Sequence, residues 1–177
     1  MGRLRMIPFD RLRMIPGVEL HQLTQHPMGE RGYWFQEQGR FSDPLFAEGV
    51  AQWSRAKMHT GCIKAWHIHQ KQVDWWFVES GLIKAVLVDL RGDDALVKHY
   101  LTGKPVEVEN YNPCEFFLGD DQPPGILKIP PGVAHGLKVL QGPAVLSYLT
   151  SREYDPTDEG RIPFDALGYD WDKRDIR

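Results

Sequence analysis

Turn signals cut this chain at short intervals, and the runs between them are rich in β-formers. Gly92-Asp93-Asp94, Gly103-Lys104-Pro105, Asn112-Pro113, Gly119–Gly125, Pro130-Pro131-Gly132 and Gln141-Gly142-Pro143 all favour tight reversals. Glycine reaches positive φ without cost, proline fixes φ, and Asn and Asp bond their own backbone. Between these signals lie Trp75–Val78, Ile83–Leu90, Leu127–Ile129, Val133–Leu140 and Ala144–Leu149, dense in aliphatic and aromatic residues. Each reads as a strand. Many short strands at this spacing predict an all-β sandwich or barrel, with helix confined to a short tail after Tyr154.

A chain of 177 residues suits one domain, and no linker divides it. The expected organisation is an N-terminal arm over residues 1–16 and a single domain over 17–177. The arm carries a tandem duplication, RLRMIP at Arg3–Pro8 and again at Arg11–Pro16. It is too short for a solenoid and reads as a local duplication, or as a β-arm pairing with a neighbouring subunit. Hydrophobic residues at 42% exclude a disordered chain. Charges of 24 acidic against 21 basic residues argue against a nucleic-acid partner, which needs a net basic face. No apolar run approaches a membrane span, and the N-terminus lacks the apolar stretch of a secretory leader. Cys62 and Cys114 form no CxxC and read as reduced thiols, so the expected location is the cytoplasm.

The chemistry concentrates at the histidines. His67 and His69 lie two apart in AWHIHQKQVDWW, so on a strand both imidazoles face one side. Asp74 follows, and His135 lies far along in PPGVAHG. Three imidazoles and a carboxylate form a plausible shell for a divalent transition metal, with His67, His69, Asp74 and His135 as candidate ligands. For any one of them, a hydrogen-bonded core or rim role is the plainer reading. His21, His26, His59 and His99 read as surface or loop residues.

The spacing Gly61, His67, His69, Asp74, Gly81 resembles the first cupin motif, with Asp where Glu is usual. Pro130, Gly132, His135 resembles the second, with Val139 where Asn is usual. This resemblance implies an antiparallel jelly-roll barrel with its site in the mouth. KAWH at Lys64–His67, IPPGVAHGLKVL at Ile129–Leu140 and the tail from Leu149 to Trp171 resemble the dTDP-4-dehydrorhamnose 3,5-epimerase family. That family removes a proton beside the ketone of a nucleotide-linked 4-keto-6-deoxy sugar and returns it on the other face. Carried over, His67 is the catalytic base and Asp165, in IPFDAL, the carboxylate that orients it. Arg31 contacts the nucleotide, and Lys64, where the family has arginine, holds the diphosphate. His135 lines the cavity, and Trp66, Trp75 or Trp76 offers an aromatic face to the substrate.

Two departures matter. The family's ketone-polarising lysine falls at Asp74, and its tyrosine falls at Ser147, with Tyr148 expected to face away. Both Asp74 and Ser147 are therefore candidate substrate contacts of altered chemistry. The epimerase reading requires no cofactor. The alternatives are a metal-dependent cupin enzyme using Zn, Fe, Mn or Ni on a small carbonyl or phenolic compound, and a non-catalytic sugar-binding cupin. The resemblance also implies a homodimer.

Overall fold

The computed structural model describes residues 15–27, 34–92 and 112–172. The RLRMIP duplication (apart from Ile15 and Pro16), Arg31 and His99 lie outside them. Among the described residues there are ten strands: β1 (Glu19–Gln22), β2 (Gln25–Pro27), β3 (Trp34–Gln36), β4 (Gln52–Met58), β5 (Ile63–His69), β6 (Asp74–Asp89), β7 (Cys114–Gly119), β8 (Gly125–Ile129), β9 (Val133–Thr150) and β10 (Glu159–Arg161). Every pairing is antiparallel. A short 3-10 turn, Pro44–Phe46, is capped by the Asp43 carboxylate.

β6 and β9 form the spine, paired along most of their length, and each changes its outer neighbour midway. The first part of β6 pairs with β8 and its second part with β7. The first part of β9 pairs with β5 and its last part with β4. The pair thus bends into two layers, β1-β8-β6-β9-β4 and β7-β6-β9-β5-β10. The bend falls where the β6–β9 register shifts, between Val78 and Ile83. Gly81 sits there at φ 78°, and a Cβ on it would lie 2.7 Å from both Ala144 Cα and Gln141 O. Only glycine allows so close a crossing.

Gln141-Gly142-Pro143, expected as a turn, and Gly81, which lies between two runs read as separate strands, are therefore the corners of two continuous strands of 18 and 16 residues. The extra residue at the bend also resets which side chains face inward. Before it Trp76 and Val78 point into the main core; after it Ile83, Ala85 and Leu87 do. On β9, Val133, Leu137 and Val139 face inward, and then Ala144 and Leu146.

The main core fills the space between the layers and includes Leu127, Ile129, Phe116 and Leu118. Trp75 packs on the opposite face with Leu45, Phe46, Val73 and Ile126. A third cluster, Trp66, Ile68, Val86, Val88, Ile162, Leu167 and Trp171, attaches the tail. This is the all-β jelly roll that the cupin resemblance implies. The tail departs from expectation. From Tyr154 to Asp172 it holds β10 and turns, with no helix. Backbone bonds between Trp66 and Ile162, at 2.9 and 3.1 Å, hold it extended on β5. Among the described residues no helix is long and apolar enough to cross a membrane.

Candidate active site

One end of the interlayer space opens as a cavity of about 230 Å³. β5 supplies Lys64, His67 and His69; β6 supplies Asp74 and Trp76; β9 supplies His135, Tyr148 and Thr150; β10 supplies Glu159 and Arg161. Lys64 and His67 are three apart, yet both line the cavity. The β5–β9 register shifts between them, and that irregularity brings both to one side. The expected convergence of distant segments is present: His135 stacks at 5.6 Å from His69 and 6.2 Å from His67 between ring centroids.

His67 is held by a carboxylate. Its Nδ1 lies 2.6 Å from Glu159 Oε1, which also accepts from Arg161 Nε at 3.2 Å. An Nδ1–H donated to Glu159 leaves Nε2 unprotonated and able to take a proton. Burial lowers the His67 pKa, Lys64 lowers it further, and the Glu159 contact pulls it partly back. Burial raises the Glu159 pKa, but bonds from Arg161 and His67 outweigh this and hold it below the usual value. The pair is thus a neutral imidazole on an ionised carboxylate at neutral pH.

This arrangement corrects one predicted role. Asp165 is exposed, and its one backbone partner is Gly168 N at 3.3 Å. The tail does bring a carboxylate to His67, but it is Glu159, six residues earlier. Pairing of β10 with β5 sets Glu159 opposite His69 and diagonal to His67. The alternating Glu-Gly-Arg after Asp158 was the available signal, hidden in an acidic stretch that reads as a solvated turn. Asp158 is itself buried, and its carboxylate accepts from the Gln72 backbone N–H at 3.1 Å.

Ser147 and Trp66 are also corrected. Ser147 faces away from the cavity, donating to Glu79 and accepting from Trp53 Nε1 at 3.2 Å. Tyr148 lines the cavity instead, with Lys64 Nζ 5.3 Å from its ring centroid. The register reset explains the exchange: inward odd positions at Leu137 and Val139 become inward even positions at Leu146 and Tyr148. Trp66 is buried in the tail cluster, donates to Phe164 O at 3.2 Å, and is not available to a substrate. Trp76 is the tryptophan of the cavity; its ring meets His135 edge-on at 5.3 Å.

Of the four candidate metal ligands, the structure groups three. One donor atom each from His69, Asp74 and His135 lies within 4.8 Å of the others, and His67 is not among them. Asp74 is buried and accepts from Gln72 Nε2 at 2.7 Å and Trp76 Nε1 at 3.3 Å. His135 is fully enclosed, and burial pushes its pKa down to about 4 despite the nearby Asp74 charge.

The jelly roll's mouth thus holds a carboxylate-bound imidazole beside a tyrosine and a lysine, groups whose chemistry can move protons. Residues 13–177 match the family described as dTDP-4-dehydrorhamnose 3,5-epimerase, and the chain belongs to that family. It is 38% identical over 164 residues to the spore coat polysaccharide biosynthesis protein SpsL of Bacillus subtilis (strain 168), covering 89% of this chain and 97% of that protein. The rmlC epimerase of Mycobacterium tuberculosis shares 26% identity at a TM-score of 0.67, over 89% of this chain and 75% of that one. A dTDP sugar isomerase from Desulfovibrio desulfuricans G20 has the same fold, with 22% identity, a TM-score of 0.72, and coverage of 91% and 94%.

Proposed function

We propose that this protein epimerises or isomerises a dTDP-linked 4-keto-6-deoxy sugar, with His67 as the base. The observation that carries the reading is the 2.6 Å contact between His67 and the largely buried Glu159, inside a cavity that also holds a tyrosine. His67 Nε2 takes a proton from the carbon beside the ketone. The electron pair passes to the ketone oxygen as an enolate. Tyr148 returns a proton to the carbon from its own side of the cavity and is itself reprotonated from solvent, while His67 releases its proton to solvent. General acid–base contributions of this kind are worth roughly 10²–10⁴ each. The ammonium of Lys64, near Tyr148, is placed to meet the enolate or the diphosphate.

The family membership supports the sugar-nucleotide substrate, and the presence of Tyr148 removes a reason for preferring a non-catalytic binding role. The resemblance further supports a homodimer. Incubation of the protein with dTDP-linked 4-keto-6-deoxyhexose in D2O, followed by NMR of the recovered sugar, tests the proposal. The expected result is deuterium at a carbon beside the ketone together with an inverted or isomerised product. A recovered sugar that is unlabelled and unchanged would refute it.

A further inference from the structure

At the inner end of the cavity two acceptor atoms face each other with no hydrogen between them. His135 Nδ1 lies 3.0 Å from Val133 O, an atom that only accepts, so Nδ1 carries the ring hydrogen. Nε2 then presents a lone pair, and its neighbour is Asp74 Oδ2 at 3.6 Å. That gap is too long for a hydrogen bond. Burial pushes the His135 pKa down to about 4, which agrees with a neutral ring. Asp74 accepts from Gln72 Nε2 on Oδ1 and from Trp76 Nε1 on Oδ2. A carboxylate has about four acceptor positions, so half of them stay open. The other amide hydrogen of Gln72 faces His69 Nε2 at 3.3 Å, away from the gap.

Buried acceptors left facing each other are unfavourable, and a ligand that brings a hydrogen to each is favoured there. Two adjacent ring hydroxyls of a sugar do this, one O–H for each acceptor. A ketone or enolate oxygen brings only lone pairs and is repelled by the Asp74 carboxylate. The cationic part of the cavity is elsewhere, at Lys64, whose Nζ lies 5.3 Å from the Tyr148 ring centroid. Charge therefore orients the sugar, with its hydroxyls inward and its ketone toward Lys64. Trp76 fixes the acceptor pair, meeting His135 edge-on while donating to Asp74.

We propose that Asp74 determines specificity: it selects a 4-keto sugar with free hydroxyls at C2 and C3, the C2 hydroxyl donating to Asp74 Oδ2 and the C3 hydroxyl to His135 Nε2. The inference rests on the sugar-nucleotide reading, which it deepens by naming the hydroxyls and the reacting carbon. His67 stacks with His135 at 6.2 Å and stands outside the tight group of His69, Asp74 and His135. The hydroxyl on C3, the carbon from which His67 takes the proton, therefore falls to His135. The hydroxyl one carbon further from the ketone falls to Asp74. A site built to hold a hydroxyl rejects the analogue that lacks it, because its buried acceptors are left unpaired.

The test uses full-length protein with dTDP-linked 4-keto-6-deoxyhexose and with its 2-deoxy analogue, in which both carbons beside the ketone are intact. Deuterium uptake from D2O gives kcat/KM for each sugar, and calorimetry gives Kd without turnover. The wild type should favour the parent sugar by roughly 10²-fold or more in kcat/KM. Asp74→Ala should bring that ratio to within about 3-fold of unity by slowing the parent sugar alone. Asp74→Asn keeps the shape and one acceptor oxygen, and its ratio should fall between the two. Circular dichroism of each variant confirms folding. A wild-type ratio within about 3-fold of unity, or a ratio unchanged in whichever variant folds, would overturn the proposal and leave the epimerase reading in place. No uptake into either sugar removes the epimerase reading. In that case tighter binding of the parent sugar by the wild type, lost in Asp74→Asn, sustains the hydroxyl site, and equal binding of the two sugars removes it.

Discussion

Glu159 and Asp165 make opposite predictions. Glu159→Gln keeps the shape but removes the charge that favours imidazolium formation, so kcat should fall by roughly 10²–10⁴, the range of a general base and its support. Asp165→Asn, on an exposed turn, should leave kcat unchanged. The second pair is Tyr148 and Ser147. Tyr148→Phe should still allow deuterium uptake from His67's face while product inversion drops by about 10²-fold or more. Ser147→Ala, on the outer face, should alter neither; steady-state kinetics with NMR of the product reads both. That His67, Lys64, Asp74 and His135 share one cavity was legible because residue type and spacing survive any error in strand parity. Glu159 and Tyr148 were not. One depends on a tail strand three residues long, the other on a register reset that no local pattern announces.

At the scale of elements, the strands were readable and their continuity was not. Ile83–Leu90 and Val133–Leu140 have the composition of buried strands, and both fall almost wholly within β6 and β9. Gly81 and Gly142 look like strand ends in one dimension. They become corners because two long strands bend together and need glycine at the crossing. β10 shows the reverse: a weak local pattern made into a strand by β5 and by the packing beneath it. Trp171 anchors that packing. Its ring lies 4.9 Å from Trp66, and both indoles donate to Phe164 O. Trp171→Ala should therefore destabilise the protein by about 3–5 kcal/mol in urea unfolding, as for other buried aromatics. A loss below about 1 kcal/mol would show that the tail docks independently of this cluster.

For the whole molecule, the buried site ties stability to pH. His135 has a folded-state pKa of about 4 against 6.5 for a free imidazole, mainly through burial. Between those values the unfolded chain binds a proton that the folded protein refuses. In metal-free protein with EDTA present, this contribution is complete above pH 6.5 and is lost as pH falls toward 4. The Tm of the wild type should drop across that window, and His135→Asn should flatten the drop. Asp74, His69 and His67 face the same ring and shape the curve. The proposed reaction turns on one transfer of a proton from sugar carbon to His67. Its most direct measurement is the rate of deuterium uptake from D2O into a dTDP-linked 4-keto-6-deoxyhexose, wild type against folded His67→Asn. The wild type should take up deuterium and the variant should lose roughly 10³-fold or more of that rate; equal rates for the two would contradict a catalytic His67.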